Sequence, residues 1–235
     1  MKSKKLLSIY NTKGFFVIKK VFTKKLLDRA IYDCENIRDA IIYYDRKNQI
    51  RRIEKLFNKT KNLRFIHNKI KNTLQRIFKN KYYIFKDKFN AKPPGGEGFY
   101  AHYDDVFNFY SNKKKKRGWY EYSDIFVNCL VALDRCDSKN GTIEIAKADN
   151  LDFDKLLKNT KKNGSPDLKA SYEKKIKFKK IHMNVGDICI FSNTCPHRSK
   201  KNLSKLKRRT LYYTYNPKTF GNNYLRYFKD KKYSK

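Results

Sequence analysis

From Tyr82 the chain reads YYIFKDKFNA to Ala91, then KPPGGEG to Gly98, then FYAH to His102. Aromatic and β-branched residues crowd the first and last of these runs, and the middle one holds a Pro-Pro-Gly-Gly turn. The stretch therefore predicts two strands joined by a tight loop. The same pattern recurs downstream. It predicts strands at Asp124–Leu133, Gly141–Ile145, Lys175–His182, Asp187–Phe191 and Arg209–Tyr215. Turns are expected at Lys139-Asn140-Gly141, Asn163-Gly164-Ser165-Pro166 and Val185-Gly186-Asp187. Upstream the period changes. Leu27, Ala30, Ile31, Cys34, Ile37 and Ile41 follow i, i+3, i+4 spacing, as do Leu63, Ile66, Ile70, Leu74 and Phe78, so both stretches predict amphipathic helices, the first N-capped by Thr23. Helices followed by a series of strands imply a mainly β fold with N-terminal helices, a jelly-roll or barrel supported on one side.

The chain has 235 residues, with 57 Lys+Arg against 22 Asp+Glu for a net charge of +35. That length suits one domain and buries roughly 70–75% of the unfolded surface without help from disulfides. Hydrophobic residues make up 40% and aromatics 15%, which excludes a disordered chain despite the charge. The apolar run Gly14–Ile18 is far shorter than the ~20 residues of a membrane span, and the N-terminus lacks a signal-peptide apolar stretch. Five cysteines, an odd number with no CxxC pair, point to a reducing cytoplasm. The lysines are spread along the whole chain among many asparagines, as an AT-rich genome would impose. A nucleic-acid partner is thus admitted by the charge but not favoured by it.

Four histidines are few enough to weigh singly. His67, on the second predicted helix, and His182, at a strand end, read as structural or surface residues. His102 differs, because it opens His102-Tyr103-Asp104, and residues i and i+2 of an extended segment point to one side. An imidazole and a carboxylate so placed can grip one metal ion. His197, 95 positions on and directly after a predicted strand and turn, supplies a third ligand. Two histidines and a carboxylate with open positions form the facial triad of non-haem Fe(II) oxygenases, whereas zinc sites more often use three histidines, His₂Glu or cysteines. Eleven residues after His197 comes Arg208, in register with Thr210 on the last predicted strand. A guanidinium inside a barrel suits the distal carboxylate of 2-oxoglutarate.

Blocks Asn90–Asp104, Asn140–Ala146, Gly186–Phe191, Pro196–Ser199 and Arg208–Asn216, in this order and spacing, resemble the phytanoyl-CoA dioxygenase family. The resemblance implies a double-stranded β-helix that uses Fe(II), 2-oxoglutarate and O₂. It assigns His102, Asp104 and His197 as iron ligands and Arg208 as the 2-oxoglutarate clamp. Comparison with ectoine hydroxylase, a member of that family, adds Asn90, Phe99 and Ser199 as cosubstrate contacts. It also implies one oxygenase domain, with residues 1–80 as helical support, 81–217 as the core and 218–235 as a tail.

The implied reaction decarboxylates 2-oxoglutarate to succinate while hydroxylating an unactivated C–H bond. Asp104 fills the position that halogenating relatives leave to a halide. The implied substrate is a small polar or anionic metabolite, organophosphonate-like or amino-acid-like. An oxygenase acting on nucleic acid or protein is the alternative, but the second Arg of nucleic-acid-repairing relatives is here Thr214. The remaining alternative is a non-enzymatic basic nucleic-acid-binding protein. Residues 105–123, longer and more basic than usual, are expected to lie over the barrel mouth. There Phe107, Phe109, Tyr110, Trp119, Tyr120 and Tyr122 would exclude water, and Lys113–Arg117 would form a solvated loop tip or engage an anion. These motifs do not encode oligomeric state.

Overall fold

The computed structural model describes residues 2–111, 114–162 and 165–233. Lys113 of the expected loop tip, Asn163 and Gly164 of an expected turn, and Ser234 and Lys235 of the expected tail lie outside the described residues. The chain opens with α1 (Lys2–Lys13), β1 (Phe15–Ile18), α2 (Lys24–Glu35), β2 (Ile41–Tyr44), β3 (Ile50–Glu54) and α3 (Lys61–Phe78). Next come β4 (Tyr82–Lys92), β5 (Phe99–His102), β6 (Phe109–Ser111), β7 (Lys114–Lys116), β8 (Val127–Ala132) and β9 (Ile143–Ile145). It ends with α4 (Phe153–Lys158), α5 (Ala170–Glu173), β10 (Lys179–Lys180), β11 (Ile188–Ser192), β12 (His197–Ser199), β13 (Arg208–Pro217) and α6 (Tyr224–Tyr233).

The strands form two principal antiparallel sheets among the described residues. The larger runs β1-β11-β8-β13-β4-β3-β2 and the smaller β10-β9-β12-β5. Leu130, Ala132, Ile143, Ile145, Cys189 and Phe191 pack between the two sheets and close one end of a jelly-roll. The outer face of the large sheet carries Phe85, Phe89, Leu211 and Tyr213, which share a second core with Leu27, Ala30 and Ile31 of α2 and Ile66, Ile70 and Leu74 of α3. Helices therefore cover one face of the large sheet while the other lines the barrel. No helix among the described residues is long and apolar enough to cross a membrane.

The two expected helices are present, with one correction. Thr23 caps α2 by accepting the Leu26 N–H, and Thr60 caps α3 by accepting the Leu63 N–H. However, α2 ends at Glu35, and Asp39 adopts a left-handed φ of 55°. Ile37 thus lies beyond the helix and Ile41 starts β2, so two members of the predicted stripe matched its spacing by coincidence. Residues 1–80 are also less helical than expected. They supply β1 to one edge of the large sheet and the β2–β3 hairpin to the other. The expected strand Lys175–His182 shrinks to Lys179–Lys180. Lys114–Lys116 pairs with Phe109–Ser111 as a small hairpin, not as a loop tip.

Two glycines set the spacing near the site. A Cβ on Gly98 would stand 2.0 Å from the Ser199 carbonyl oxygen, and one on Gly141 (φ +70°) 2.2 Å from that of Lys200. Only glycine lets the loop before β5 and the turn before β9 close on β12 from both sides.

Candidate active site

β5 and β12 are neighbours in the small sheet, and His102 and His197 are direct partners across them. Asp104 follows two residues after His102. Ligand-capable atoms of the three side chains lie within 4.8 Å of one another. His197 Nε2 is 3.6 Å from Asp104 Oδ2, and His102 Nε2 is 4.0 Å from Asp104 Oδ1. Backbone carbonyls set the imidazole tautomers. Nδ1 of His102 donates to the Tyr100 oxygen at 2.7 Å and Nδ1 of His197 to the Cys195 oxygen at 3.1 Å. Because a carbonyl can only accept, each Nδ1 carries the proton and each Nε2 keeps its lone pair for the shared point.

Burial alone would push the Asp104 carboxyl up. The Lys88 ammonium, then the two imidazoles and the Tyr212 hydroxyl, outweigh it and hold the group well below the usual carboxylate range. Tyr212 donates to Asp104 Oδ2 at 2.6 Å. Burial, reinforced by His102, pushes His197 down to about 3. A neutral, pre-oriented imidazole beside a firmly ionised carboxylate is the protonation state a metal ion requires. The other histidines stand apart: His67 is buried with Nδ1 3.1 Å from the Tyr215 hydroxyl, and His182 meets Ser138.

The triad opens onto a cavity of about 290 Å³, also lined by Asn90, Phe99, Ser199 and Arg208. All seven residues singled out from the sequence therefore come together. Arg208 is buried at the start of β13, and no carboxylate pairs with it among the described residues. Its Nη1 reaches Thr210 at a long 3.4 Å, while Nε has no partner. Asn90 Oδ1 is likewise buried without a partner. Arg209, one residue on, points the other way and pairs with Asp134 and Glu35. A buried guanidinium with unused donors is costly unless an anion completes it.

Several cavity residues were not anticipated from the sequence. Lys86, Lys88, Asn90 and Lys92 occupy alternate positions on β4, opposite in direction to Phe85 and Phe89. Lys86 and Lys88 line the cavity with Arg52, Tyr212, Tyr227 and Lys231. Lys92 lies beneath Ser199, donating to its hydroxyl at 2.9 Å and to the Gly141 and Lys200 carbonyls. The available signal was the KxKxNxK alternation from Lys86, which reads in isolation as a solvent face.

Of the expected covering aromatics, Phe107 and Trp119 line the cavity. Tyr122 belongs to the outer core, Tyr120 packs on Phe153, and Tyr110 is exposed. Lys114, Lys115 and Arg117 are exposed and do not line the cavity.

Comparison with known proteins gives this chain relatives. The family model Phytanoyl-CoA dioxygenase (PhyH) matches residues 10–210. Methylphosphonate hydroxylase of Gimesia maris is 32% identical over 155 residues, covering 64% of this chain and 52% of that protein. The 2-aminoethylphosphonate dioxygenase of an uncultured bacterium, HF130_AEPn_1, is 30% identical over 149 residues, 63% of this chain and 51% of that protein. The chain thus spans about half the length of the curated relatives it matches. Among solved structures, the non-heme alpha ketoglutarate dependent carbocyclase SnoK from nogalamycin biosynthesis has a TM-score of 0.69 at 13% identity, over 90% of this chain and 83% of that one. The apo form of EctD from S. alaskensis has a TM-score of 0.69 at 16% identity, over 90% and 76%. At such identities the likeness establishes the jelly-roll fold.

Proposed function

This chain belongs to the phytanoyl-CoA dioxygenase family, and from that premise we propose that it is an Fe(II)- and 2-oxoglutarate-dependent dioxygenase hydroxylating a small organophosphonate. The observation that carries the reading is the convergence, in one cavity, of a His₂Asp cluster and a buried guanidinium without a counter-charge. The donor set fits Fe(II), since its imidazoles offer Nε2 lone pairs and its carboxylate is ionised. The unused donors of Arg208 fit the distal carboxylate of 2-oxoglutarate.

When bound, Fe(II) and 2-oxoglutarate supply the O₂ activation that inserts oxygen into a C–H bond, giving succinate and CO₂. The chain does the rest. His102, Asp104 and His197 hold the ion, and Tyr212 fixes the orientation of the carboxylate. Arg208 clamps the cosubstrate, with Asn90, Ser199 and Phe99 around it and Lys92 holding Ser199 in place. Trp119, Phe107 and Tyr227 keep bulk water out. A cavity of about 290 Å³ suits a small molecule better than a polymer, and phosphonates are the substrates in the names of both curated relatives. All five cysteines are buried and unpaired, as suits a reducing cytoplasm.

The test is succinate release by Fe(II)-loaded protein with 2-oxoglutarate and O₂ across a panel of phosphonates. Methylphosphonate or a close analogue should accelerate release, and its hydroxylated product should appear by mass spectrometry. Release that no phosphonate changes would sink the reading.

A further inference from the structure

The cavity has a second polar end, away from Arg208. Across the large sheet Glu54 is the direct partner of Lys88, and Arg52 that of Asn90. Glu54 is fully buried and absent from the cavity lining. It stands behind cations that do line it: Arg52 Nε at 3.2 Å, Lys86 Nζ at 3.8 Å, and Lys231 Nζ in contact from α6. Among the described residues Arg52 and Lys86 by themselves outnumber this one carboxylate, which leaves positive charge in excess at this end. Lys88 adds a further cation, 4.0 Å from Asp104 Oδ1.

Aromatic faces hold these ammonium groups in place. Lys86 lies 5.1 Å from the Trp119 ring centroid and 5.3 Å from that of Tyr227, and Lys88 lies 4.1 Å from that of Tyr212. Arg52 Nε is buried and makes no aligned hydrogen bond, although it stands within ion-pair range of Glu54. Clustering cations in a buried wall is unfavourable unless an anion joins them. Burial with the neighbouring Lys86 pushes Lys231 down to about 7, whereas at Lys86 burial is outweighed by Tyr227 and Glu54, which hold it above the ordinary lysine value.

Building on the phosphonate-hydroxylase reading, we infer that Arg52, Lys86, Lys88 and Lys231 form the seat of the substrate's tetrahedral dianionic head group, and that this seat selects phosphonates carrying no ammonium group. Lys88 adjoins Asp104, so the seat abuts the triad, and a head group held there would lie beside the residues that would hold the metal. The single carboxylate among the residues lining the cavity is Asp104, which already faces both histidines. A substrate ammonium group would meet cations and find no carboxylate of its own.

Calorimetric titration of the Fe(II)- and 2-oxoglutarate-loaded protein without O₂ tests this, with methylphosphonate, 2-aminoethylphosphonate and methyl phosphate as probes. Methylphosphonate should bind about tenfold or more tighter than 2-aminoethylphosphonate. Lys86→Met and the partly exposed Arg52→Gln should each weaken methylphosphonate about tenfold or more, with 2-oxoglutarate affinity held within about twofold. Arg52→Gln keeps the test open should Lys86→Met fail to fold. Turnover of methylphosphonate by wild type, with binding unchanged in Arg52→Gln, would overturn the seat while sparing the proposed reaction. Methylphosphonate binding that weakens in both variants, without hydroxylated product from wild type, would support the seat and overturn the reaction instead. Equal or tighter binding of 2-aminoethylphosphonate would overturn the exclusion of ammonium groups. Tighter binding of methyl phosphate than of methylphosphonate would overturn the assignment to phosphonates.

Discussion

The two polar ends of the cavity attract anions by opposite constructions. At one end Arg208 is buried beside its strand partner Lys92, with no carboxylate paired to it among the described residues and with a donor unused. At the other, Arg52, Lys86 and Lys231 crowd around Glu54, which sits behind them. A guanidinium with free donors matches one planar carboxylate, bidentately and with a fixed direction. A cluster with its own counter-ion can hold several cations together in the empty protein and still offer excess charge to a dianion. The first end reads shape, and the second reads charge. On the proposed reading, cosubstrate and substrate would thus call for different architectures within a few residues of the same His₂Asp cluster.

The largest effect should come from what both ends share. Asp104→Ala or His197→Ala should lower turnover by about three orders of magnitude, because neither end can then position its ligand against a metal. Thermal unfolding should show the domain still folded, since none of its three hydrophobic clusters has a triad residue among its members.

Glu54→Gln comes next and separates the ends by stability. Removing one partner of a buried ion cluster costs about 3–5 kcal/mol, measurable by urea denaturation, and added phosphate should restore part of it. The pH dependence follows from the same group. Burial alone would raise the Glu54 carboxyl, but Lys86, then Arg52 and Lys231, lower it from 4.5 to about 2. A carboxyl depressed in the folded state stabilises fully above its unfolded value and loses that contribution as pH falls towards its folded value. Wild type should therefore lose stability between about pH 4.5 and 2, and Glu54→Gln should lose less of it over that window.

Arg208→Gln should raise the 2-oxoglutarate KM roughly 10–100-fold, the worth of a charge-assisted bidentate pair. Arg209→Gln should leave that KM within about twofold, because its guanidinium is engaged with Asp134 and Glu35 outside the cavity. The reverse order would mean that the Arg208 end had been misassigned. The smallest effect belongs to the hairpin. Lys114→Ser with Lys115→Ser should shift substrate KM by less than about twofold at low and high salt alike, because exposed charges away from the cavity are screened. A large salt-dependent change would bring a third basic region into the comparison.

These ends differed in how far the sequence disclosed them. His102 and Asp104 were legible from the two-residue repeat of an extended chain, and Arg208 from its register with Thr210. The pairing of His102 with His197 is a tertiary fact that spacing alone does not contain. The cation cluster was hidden for a compositional reason. In a chain with 57 Lys+Arg, buried lysines look like surface ones. On β4 the usual rule also inverts, with the charged face inward to the cavity and Phe85 and Phe89 outward to the helices. Strands β1 to β3 escaped for a similar reason, being short and lying among helical signals. The α2 stripe overran because Ile37 and Ile41 match a helical period that Asp39 interrupts.

The register of β1 has a consequence for synthesis. Its partner is β11, and Ile188 lies 170 positions beyond Ile18. At about 5–20 residues per second, a ribosome needs roughly ten to thirty seconds to deliver it. Throughout that interval Phe15-Phe16-Val17-Ile18 is an apolar strand without a neighbour, flanked by Lys13, Lys19 and Lys20, charges of the kind that discourage premature association. One edge of the sheet therefore closes only after Ile188 has been made, leaving the nascent protein dependent on whatever shelters this strand until then.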